Sequence, residues 1–275
     1  VACGADGCVY PGVASEVDML SYTERSRQVT LLGKKLAGRI PFIVGASAPD
    51  PAQVIAHIQV GVRAGAAAAM VIAPGALAHD IVAQTAFFDQ IASASTLPIM
   101  LQNQPVPIGA GLSADGVARI ARAVPNVRYI KEETLPCGQN LTKIREACGD
   151  TILGVFGGAG GRYIVDELAR GSLGTMPAAE FTDVHVQLVN AWRAGDTAKA
   201  RDLFMYTLPA LNFQAVFRMH MTKETLRRRC VLNTTHVRGK GPAMDPGDHV
   251  ELSALLDRLA PHFETFWQPT PASAE

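Results

Sequence analysis

Short apolar segments alternate with longer segments of helical periodicity as far as about residue 182. Strands that are apolar on both faces and alternate with helices are typical of a parallel sheet covered by helices. The pattern therefore predicts seven parallel strands. Their segments are GCVYPG at residue 7, FIVGAS at 42, AAAMVIAP at 67, PIMLQ at 98, VRYIKE at 127, ILGVFGG at 152 and SLGTMP at 172.

Helical periodicity fills the intervals between these segments, and local start signals support several of the helices. Asp50 before Pro51 is an N-cap followed by proline at the first helical position, and Ser113 precedes the amphipathic run ADGVARIARAV. The predicted helices lie near 21–36, 51–64, 80–94, 113–123, 139–148 and 161–170, and later near 183–194, 196–208, 212–230 and 247–267.

Repeated strand–helix units on this scale approach a (β/α)8 TIM barrel. We therefore predict an α/β fold with a TIM barrel over residues 1–182, a C-terminal helical region over 183–268 and a frayed tail over 269–275. A barrel of seven strands would leave two unpaired edges. We expect the first strand and helix to lie upstream of Val1.

Composition and charge narrow the classes of partner. The net charge of zero gives no electrostatic reason to expect nucleic acid or an anionic membrane. The longest apolar stretch, Ala64 to Ala78, is interrupted by Pro74 and two glycines, which argues against a membrane span. We see no signal peptide, and the five cysteines and scattered histidines form no metal-ligand spacing. These features predict a cytoplasmic protein with reduced cysteines and no metal.

One lysine lies at the end of a predicted strand. Active sites of α/β barrels lie at the C-terminal ends of the strands. In VRYIKE, alternation puts Val127, Tyr129 and Lys131 on one face, with Arg128 and Ile130 on the other. If Lys131 points into the barrel, lost hydration favours its neutral amine, which attacks carbonyl carbon and forms a Schiff base. The alternative is a surface lysine at a strand end.

Other strand ends offer candidates for substrate binding. The strand PIMLQ ends at Gln102 and Asn103, whose amides can orient a ligand but cannot act as acids or bases at neutral pH. Asn103 could equally bond the backbone of its own loop. Glu133 shares the face of Lys131 by alternation and could serve as a base or as a salt-bridge partner. The remaining substrate-binding candidates at strand ends are Ala14, Ser15, Gly157, Gly158 and Met176.

Several longer segments resemble the dihydrodipicolinate synthase / N-acetylneuraminate lyase family of class I aldolases and dehydratases. They are GADGCVYPGVASEVDMLSYTER, RIPFIVGAS, LPIMLQNQP, PNVRYIKEET and LARGSLGTM, and the likeness runs from Gly4 to about Phe263. The resemblance implies a TIM barrel whose Schiff-base lysine is Lys131. It also implies a small 2-oxo acid as substrate, no metal or organic cofactor, and assembly as a homodimer or homotetramer.

Hydroxyl-bearing residues usual in that family are replaced in this chain. The usual Gly-Thr-Thr-Gly-Glu is here Gly-Val-Ala-Ser-Glu at 12–16, and the usual Tyr-Asn-x-Pro is Gln-Asn-Gln-Pro at 102–105. These departures argue against a genuine dihydrodipicolinate synthase, and they resemble the 2-keto-3-deoxy-L-arabinonate dehydratases. The resemblance thus implies a lyase that dehydrates a 2-keto-3-deoxy sugar acid. A pyruvate-dependent aldolase, and a barrel that binds an oxo acid without turnover, are the alternatives.

Overall fold

The computed structural model describes residues 1–263. These residues form two compact units, one of Asp6–Met176 and one of Val1–Ala5 together with the chain from Pro177 onward. The first unit contains the sheet and the second is helical. The predicted domain boundary at 182/183 stays a prediction, and the predicted tail at 269–275 lies outside the described residues.

The first unit is built on one parallel sheet whose six strands are neighbours in chain order. They are β1 Cys8–Tyr10, β2 Phe42–Gly45, β3 Ala68–Ile72, β4 Ile99–Asn103, β5 Val127–Glu132 and β6 Gly154–Phe156. These correspond to the first six predicted strands, which are confirmed. The sheet and its helices fit an α/β barrel, although residues 1–263 do not contain the eight strands of a complete one.

The prediction of a seventh strand in SLGTMP is wrong, since this segment forms only an isolated bridge between Gly157 and Thr175. Ser172 lies at the start of this segment and joins it to β6. Its hydroxyl bonds the carbonyls of Gly174 and Val155, which also accept from the backbone N–H groups of Gly157 and Leu173, both at 2.9 Å.

Helices follow the strands of this unit where the local signals predict them. Ser21 and Glu24 form a capping box at the start of the first helix, and Asp50 and Ser113 cap the second and the fourth. The helices are α1 Tyr22–Leu36, α2 Pro51–Arg63, α3 Ile81–Ser93, α4 Ala114–Ala123, α5 Cys137–Cys148 and α6 Ile164–Ala169.

The two faces of the sheet have different neighbours. One face joins the helices in a buried apolar cluster, and Leu101, Ile130 and Val155 of this face are 0 % exposed. Lys131 alternates with Ile130 and pairs in register with Gln102 and Phe156 on the neighbouring strands. Lys131 therefore lies on the face turned away from the helices.

A β-bulge interrupts the pairing of β4 with β5. Ile99 pairs with Val127 but the next residue, Met100, pairs with Tyr129, so one residue of β5 has no partner. The extra residue turns Val127 to the helix side, where it is 0 % exposed and part of the apolar cluster. The prediction that Val127 shares a face with Tyr129 is therefore wrong.

The second unit contains α7 Thr182–Arg193, α8 Thr197–Phe217, α9 Met219–Arg228 and α10 Pro246–Leu259. The predicted break between 208 and 212 is wrong, because α8 continues through Pro209 to Phe217 and is followed by Arg218, whose φ is +48°. A proline removes one hydrogen bond to the residue four positions earlier. That residue, Met205, is 69 % exposed, so water can reach this side of the helix. None of the helices within residues 1–263 is long and apolar enough to cross a membrane.

Candidate active site

The site centres on a buried ion pair near the C-terminal end of β5. Lys131 is 7 % exposed, and its Nζ lies 3.4 Å from Oε2 of Glu133. Strand alternation brings the two side chains to the same face, as the sequence predicts. The amine is thus sheltered from bulk water and next to a group that can take its proton.

Three further donors hold the carboxylate of Glu133. The side-chain amides of Gln102 and Gln104 both donate to Oε2, with N–O distances of 2.5 and 2.9 Å. The backbone N–H of Ala159 donates to Oε1 at 3.0 Å. Both carboxylate oxygens are therefore bonded, and the orientation of the group is fixed.

These contacts decide the protonation of Glu133. Burial raises the pKa of this carboxyl, but the charge of Lys131 and the hydrogen bonds from the two glutamines and from Ala159 lower it by more. The net result is a pKa below the usual value. Glu133 is therefore a carboxylate at neutral pH and can hold a proton only transiently.

The glycine-rich turn after β6 adapts its backbone to Glu133. Ala159 adopts a left-handed conformation with φ +49°, which is uncommon for a residue with a side chain. Gly158 has no room for one, since an added Cβ would lie 2.4 Å from Oε1 of Glu133. The backbone of this turn thus lies directly against the carboxylate.

A second buried carboxyl lies close to the same turn. Glu167 of α6 is 1 % exposed, and a Cβ added to Gly157 would lie 1.9 Å from its Oε2. No donor within residues 1–263 reaches either of its oxygens with hydrogen-bond geometry. Burial, followed by the charge of Glu133, raises the pKa of Glu167 to about 8, although the nearby N–H of Gly158 acts in the opposite direction. Glu167 is therefore mainly neutral at pH 7.

Asn103 and Glu132 form a different network on the helix side of the sheet. Asn103 is 0 % exposed; its amide N–H groups donate to Glu132 at 2.8 Å and to the carbonyl of Leu112 at 2.9 Å. Its Oδ1 accepts from the N–H of Leu112 at 2.9 Å. This geometry favours the loop-bonding role for Asn103 over contact with a ligand beside Lys131.

Burial also affects the acid of that network. It raises the pKa of Glu132 to about 7, despite the hydrogen bonds from Thr134 and Asn103, and the charge of Glu133 adds to the rise. Glu132 and Glu133 are adjacent, yet their pKa values shift in opposite directions, and the charge of Lys131 lies beside Glu133.

The candidates after β1 are bonded within their own turn. The N–H of Ser15 bonds the carbonyl of Gly12 at 2.8 Å, and its hydroxyl accepts from the N–H of Gly12 at 3.4 Å. Ala14 is exposed. By contrast, Met176 lies beside the Lys131 cluster, because its N–H bonds the carbonyl of Gly157 at 3.3 Å.

The structure thus brings six of the sequence candidates to one place: Lys131, Gln102, Glu133, Gly157, Gly158 and Met176. Sequence reasoning missed Gln104, Ala159 and Glu167. Gln104 had a detectable signal, because it follows Gln102 by two positions and so shares its face. Ala159 lies in the glycine-rich segment GGAGGR at 157–162, a backbone signal for carboxylate binding, whereas Glu167 had no signal in the sequence.

Within the described chain no group of three or more histidine, cysteine, aspartate or glutamate side chains is arranged to hold a metal ion. The chemistry that the site itself offers is an amine, a carboxylate and two amides. Together with the fold, they define the class: a parallel α/β protein with a buried lysine–carboxylate pair at the carboxyl ends of its strands.

Comparison with known protein families identifies the family of this chain. The chain belongs to the dihydrodipicolinate synthetase family, whose model matches residues 1–239. Members of this family are lyases. The resemblance seen in the sequence is therefore confirmed.

Individual relatives cover most of the chain. It is 29 % identical over 262 residues to an L-2-keto-3-deoxyarabonate dehydratase of Azospirillum brasilense, covering 94 % of this chain and 84 % of the relative. It is 27 % identical over 219 residues to a 4-hydroxy-tetrahydrodipicolinate synthase of Maridesulfovibrio salexigens, covering 75 % of this chain and 70 % of that one.

Solved structures share the fold. A prophage protein of the dihydrodipicolinic acid synthase family from E. coli K12 superposes with a TM-score of 0.86 at 24 % identity, covering 94 % of this chain and 88 % of the other. A dihydrodipicolinate synthase from Rhodopseudomonas palustris gives a TM-score of 0.82 at 25 % identity, with coverage of 94 % and 87 %. An α/β barrel fold is the shared feature.

Proposed function

We propose that this protein is a lyase that forms a Schiff base between Lys131 and a small 2-oxo acid. The observation that carries the proposal is the buried contact of 3.4 Å between Nζ of Lys131 and the Glu133 carboxylate. A lysine needs a neutral amine to attack a carbonyl carbon, and this carboxylate is a proton acceptor at contact distance. The family relative from E. coli K12, whose structure is a complex with pyruvate, supports a 2-oxo acid as the ligand.

The first half of the reaction joins the substrate to the enzyme. Glu133 takes a proton from the ammonium of Lys131, and the freed lone pair of Nζ attacks C2 of the oxo acid. The resulting carbinolamine gains a proton on its oxygen and loses water, which leaves an iminium. Glu133 returns to the carboxylate by giving up the proton it accepted.

The second half removes a hydroxyl from the substrate. The iminium acidifies C3, and loss of a C3 proton to a base gives an enamine, for which Glu133 is the carboxylate at hand. The enamine electrons expel the hydroxyl on C4, which leaves with a proton as water. Hydrolysis of the unsaturated iminium then restores Lys131, and the net change is loss of one water from the substrate.

The substrate that we favour is a 2-keto-3-deoxy sugar acid. Two features support it: the relative named as an L-2-keto-3-deoxyarabonate dehydratase, and Gln102 beside Lys131, an amide that transfers no proton where the family usually has a tyrosine. The alternatives are a pyruvate-dependent aldolase of this family and a barrel that binds an oxo acid without turnover. The homodimer or homotetramer and the cytoplasmic location stay predictions.

Borohydride reduction in the presence of pyruvate tests the lysine. We expect a covalent adduct on the tryptic peptide that carries Lys131, detected by mass spectrometry, and its loss in Lys131→Met. Lys143→Met, which removes an exposed lysine of α5, is the matched control and should label like the wild type. No label, or label on another lysine, would contradict the proposal.

Turnover is assayed separately from adduct formation. Incubation with 2-keto-3-deoxy-L-arabinonate is expected to give a product lighter by one water. Release of pyruvate instead would favour the aldolase. An adduct on Lys131 with neither product would favour binding without turnover.

The close contact between Gly158 and Glu133 gives a further prediction. In Gly158→Ala the new methyl group would lie 2.4 Å from Oε1 of Glu133, so the carboxylate must move away from its donors. We expect kcat/KM for 2-keto-3-deoxy-L-arabinonate to fall by up to about 100-fold, the usual effect of misplacing a catalytic group by roughly 1 Å. Gly241→Ala, where an added Cβ meets nothing within 4 Å, is the control. Equal activity of both variants would mean that the position of Glu133 is not critical.

A further inference from the structure

The contact with Glu133 fixes the orientation of the Gln104 side-chain amide. Its nitrogen lies 2.9 Å from Oε2 of Glu133, a carboxylate that only accepts hydrogen bonds. Rotating the amide by half a turn would put two oxygens with lone pairs against each other. The nitrogen must therefore face Glu133, and the carbonyl oxygen must point elsewhere.

That carbonyl oxygen lacks a donor. Gln104 is 8 % exposed, and no group within residues 1–263 donates to its Oε1. Buried polar atoms in folded proteins nearly always have a hydrogen-bond partner, and an exception calls for an explanation such as a catalytic role, a water or an ion. Because Oε1 can only accept, the partner it suits is a hydroxyl or another N–H or O–H donor.

The backbone around Gln104 is fixed, so this acceptor is preorganised. The carbonyl of Gln104 accepts from the N–H of Gly111 at 2.9 Å. A Cβ on Gly109 would lie 2.5 Å from the same carbonyl, so the loop packs closely on Gln104. Gly109 also bridges to Pro74 in the loop after β3. The backbone hydrogen bond and the close packing therefore fix the backbone from which the Gln104 side chain extends.

We propose that Oε1 of Gln104 accepts a hydrogen bond from a substrate hydroxyl beyond C4, and so selects hydroxylated 2-oxo acids. This inference rests on the proposed function, since it takes C2 of the substrate to be bonded to Lys131. Gln104 and Lys131 contact the same carboxylate oxygen of Glu133, so the acceptor is one side chain away from the reacting amine. In this arrangement Glu133 lies next to C2 and C3 of the substrate, and Gln104 contacts the substrate atoms beyond C4.

Two substrates and two variants test this role. The substrates are 2-keto-3-deoxy-L-arabinonate, with hydroxyls on C4 and C5, and 4-hydroxy-2-oxopentanoate, which lacks the C5 hydroxyl. Gln104→Met removes both the donor to Glu133 and the acceptor. Gln102→Met is the matched control, because it removes an equivalent donor from the same oxygen of Glu133 and leaves Gln104 in place. The readout is the ratio of kcat/KM for the two substrates, followed by mass spectrometry of the dehydrated products.

We expect the wild type to favour the substrate with the C5 hydroxyl by at least about 10-fold in kcat/KM. Gln104→Met should lose most of that preference. Gln102→Met should retain it, even where its absolute rates fall. A wild-type enzyme without such a preference would overturn the inference. This comparison uses the wild type alone, so it does not depend on the folding of any variant. A Gln104→Met enzyme with an unchanged ratio would also overturn the inference. Failure of the proposed function is seen separately, as no pyruvate adduct on Lys131, and the inference would fall with it.

Discussion

Replacing Glu133 by glutamine is expected to lower kcat by about 100- to 10,000-fold, the usual contribution of a positioned acid–base group. The variant keeps the size of the side chain but removes the acceptor for the proton of Lys131, which lies 3.4 Å away in the native protein. It also places an amide where Gln102 and Gln104 already present N–H groups. Glutamine has one oxygen to offer these donors, so part of the network is lost.

The pH dependence separates this chemical role from a structural one. The pKa of Glu133 lies below its usual value, so the carboxylate persists to lower pH than an ordinary glutamate. The activity of the wild type should therefore fall only below the ordinary glutamate range, and Glu133→Gln should lose that acid limb. Glu133→Asp, which keeps the charge, should recover part of kcat. The exposed Glu146→Gln is the control. Activity of Glu133→Gln within threefold of the wild type would exclude a proton-transfer role.

The pairing of Lys131 with Glu133 could be predicted from sequence because it depends on local geometry. Two residues separated by one position share a face wherever the strand is regular, as it is beyond the bulge in β5. Lys131 and Glu133 are such a pair, and the structure brings them together. The N-caps Asp50 and Ser113 are local in the same sense, and the helices they start were predicted to within a residue or two.

What sequence reasoning missed depends on contacts between distant segments. The bulge that turns Val127 to the helix side arises from the pairing of β4 with β5, and alternation within β5 alone does not reveal it. Alternation with Gln102 places Asn103 on the helix side, but its partner Glu132 lies on another strand. Glu167 meets Gly157 only after α6 has folded back onto the end of β6.

Burial of Glu167 makes stability depend on pH, and Glu167→Gln is expected to remove that dependence. The pKa of Glu167 rises from 4.5 to about 8 in the folded protein. Between these values the folded state binds more protons than the unfolded state, so stability falls as pH rises. Below about pH 4.5 both states are protonated and the penalty vanishes; above about pH 8 it is complete. Its full size is on the order of 3–5 kcal/mol, from about 1.4 kcal/mol for each pKa unit.

Denaturant unfolding of the wild type and of Glu167→Gln at several values between pH 5 and 9 measures this effect. The stability difference should move in favour of the variant as pH rises, while a constant cost of burying the new amide shifts all points equally. The slope against pH is therefore the readout. Glu146→Gln on α5 makes the same change of charge at an exposed position and should parallel the wild type. Parallel curves for Glu167→Gln as well would mean that Glu167 is ionised in the folded protein and has found a partner for its charge.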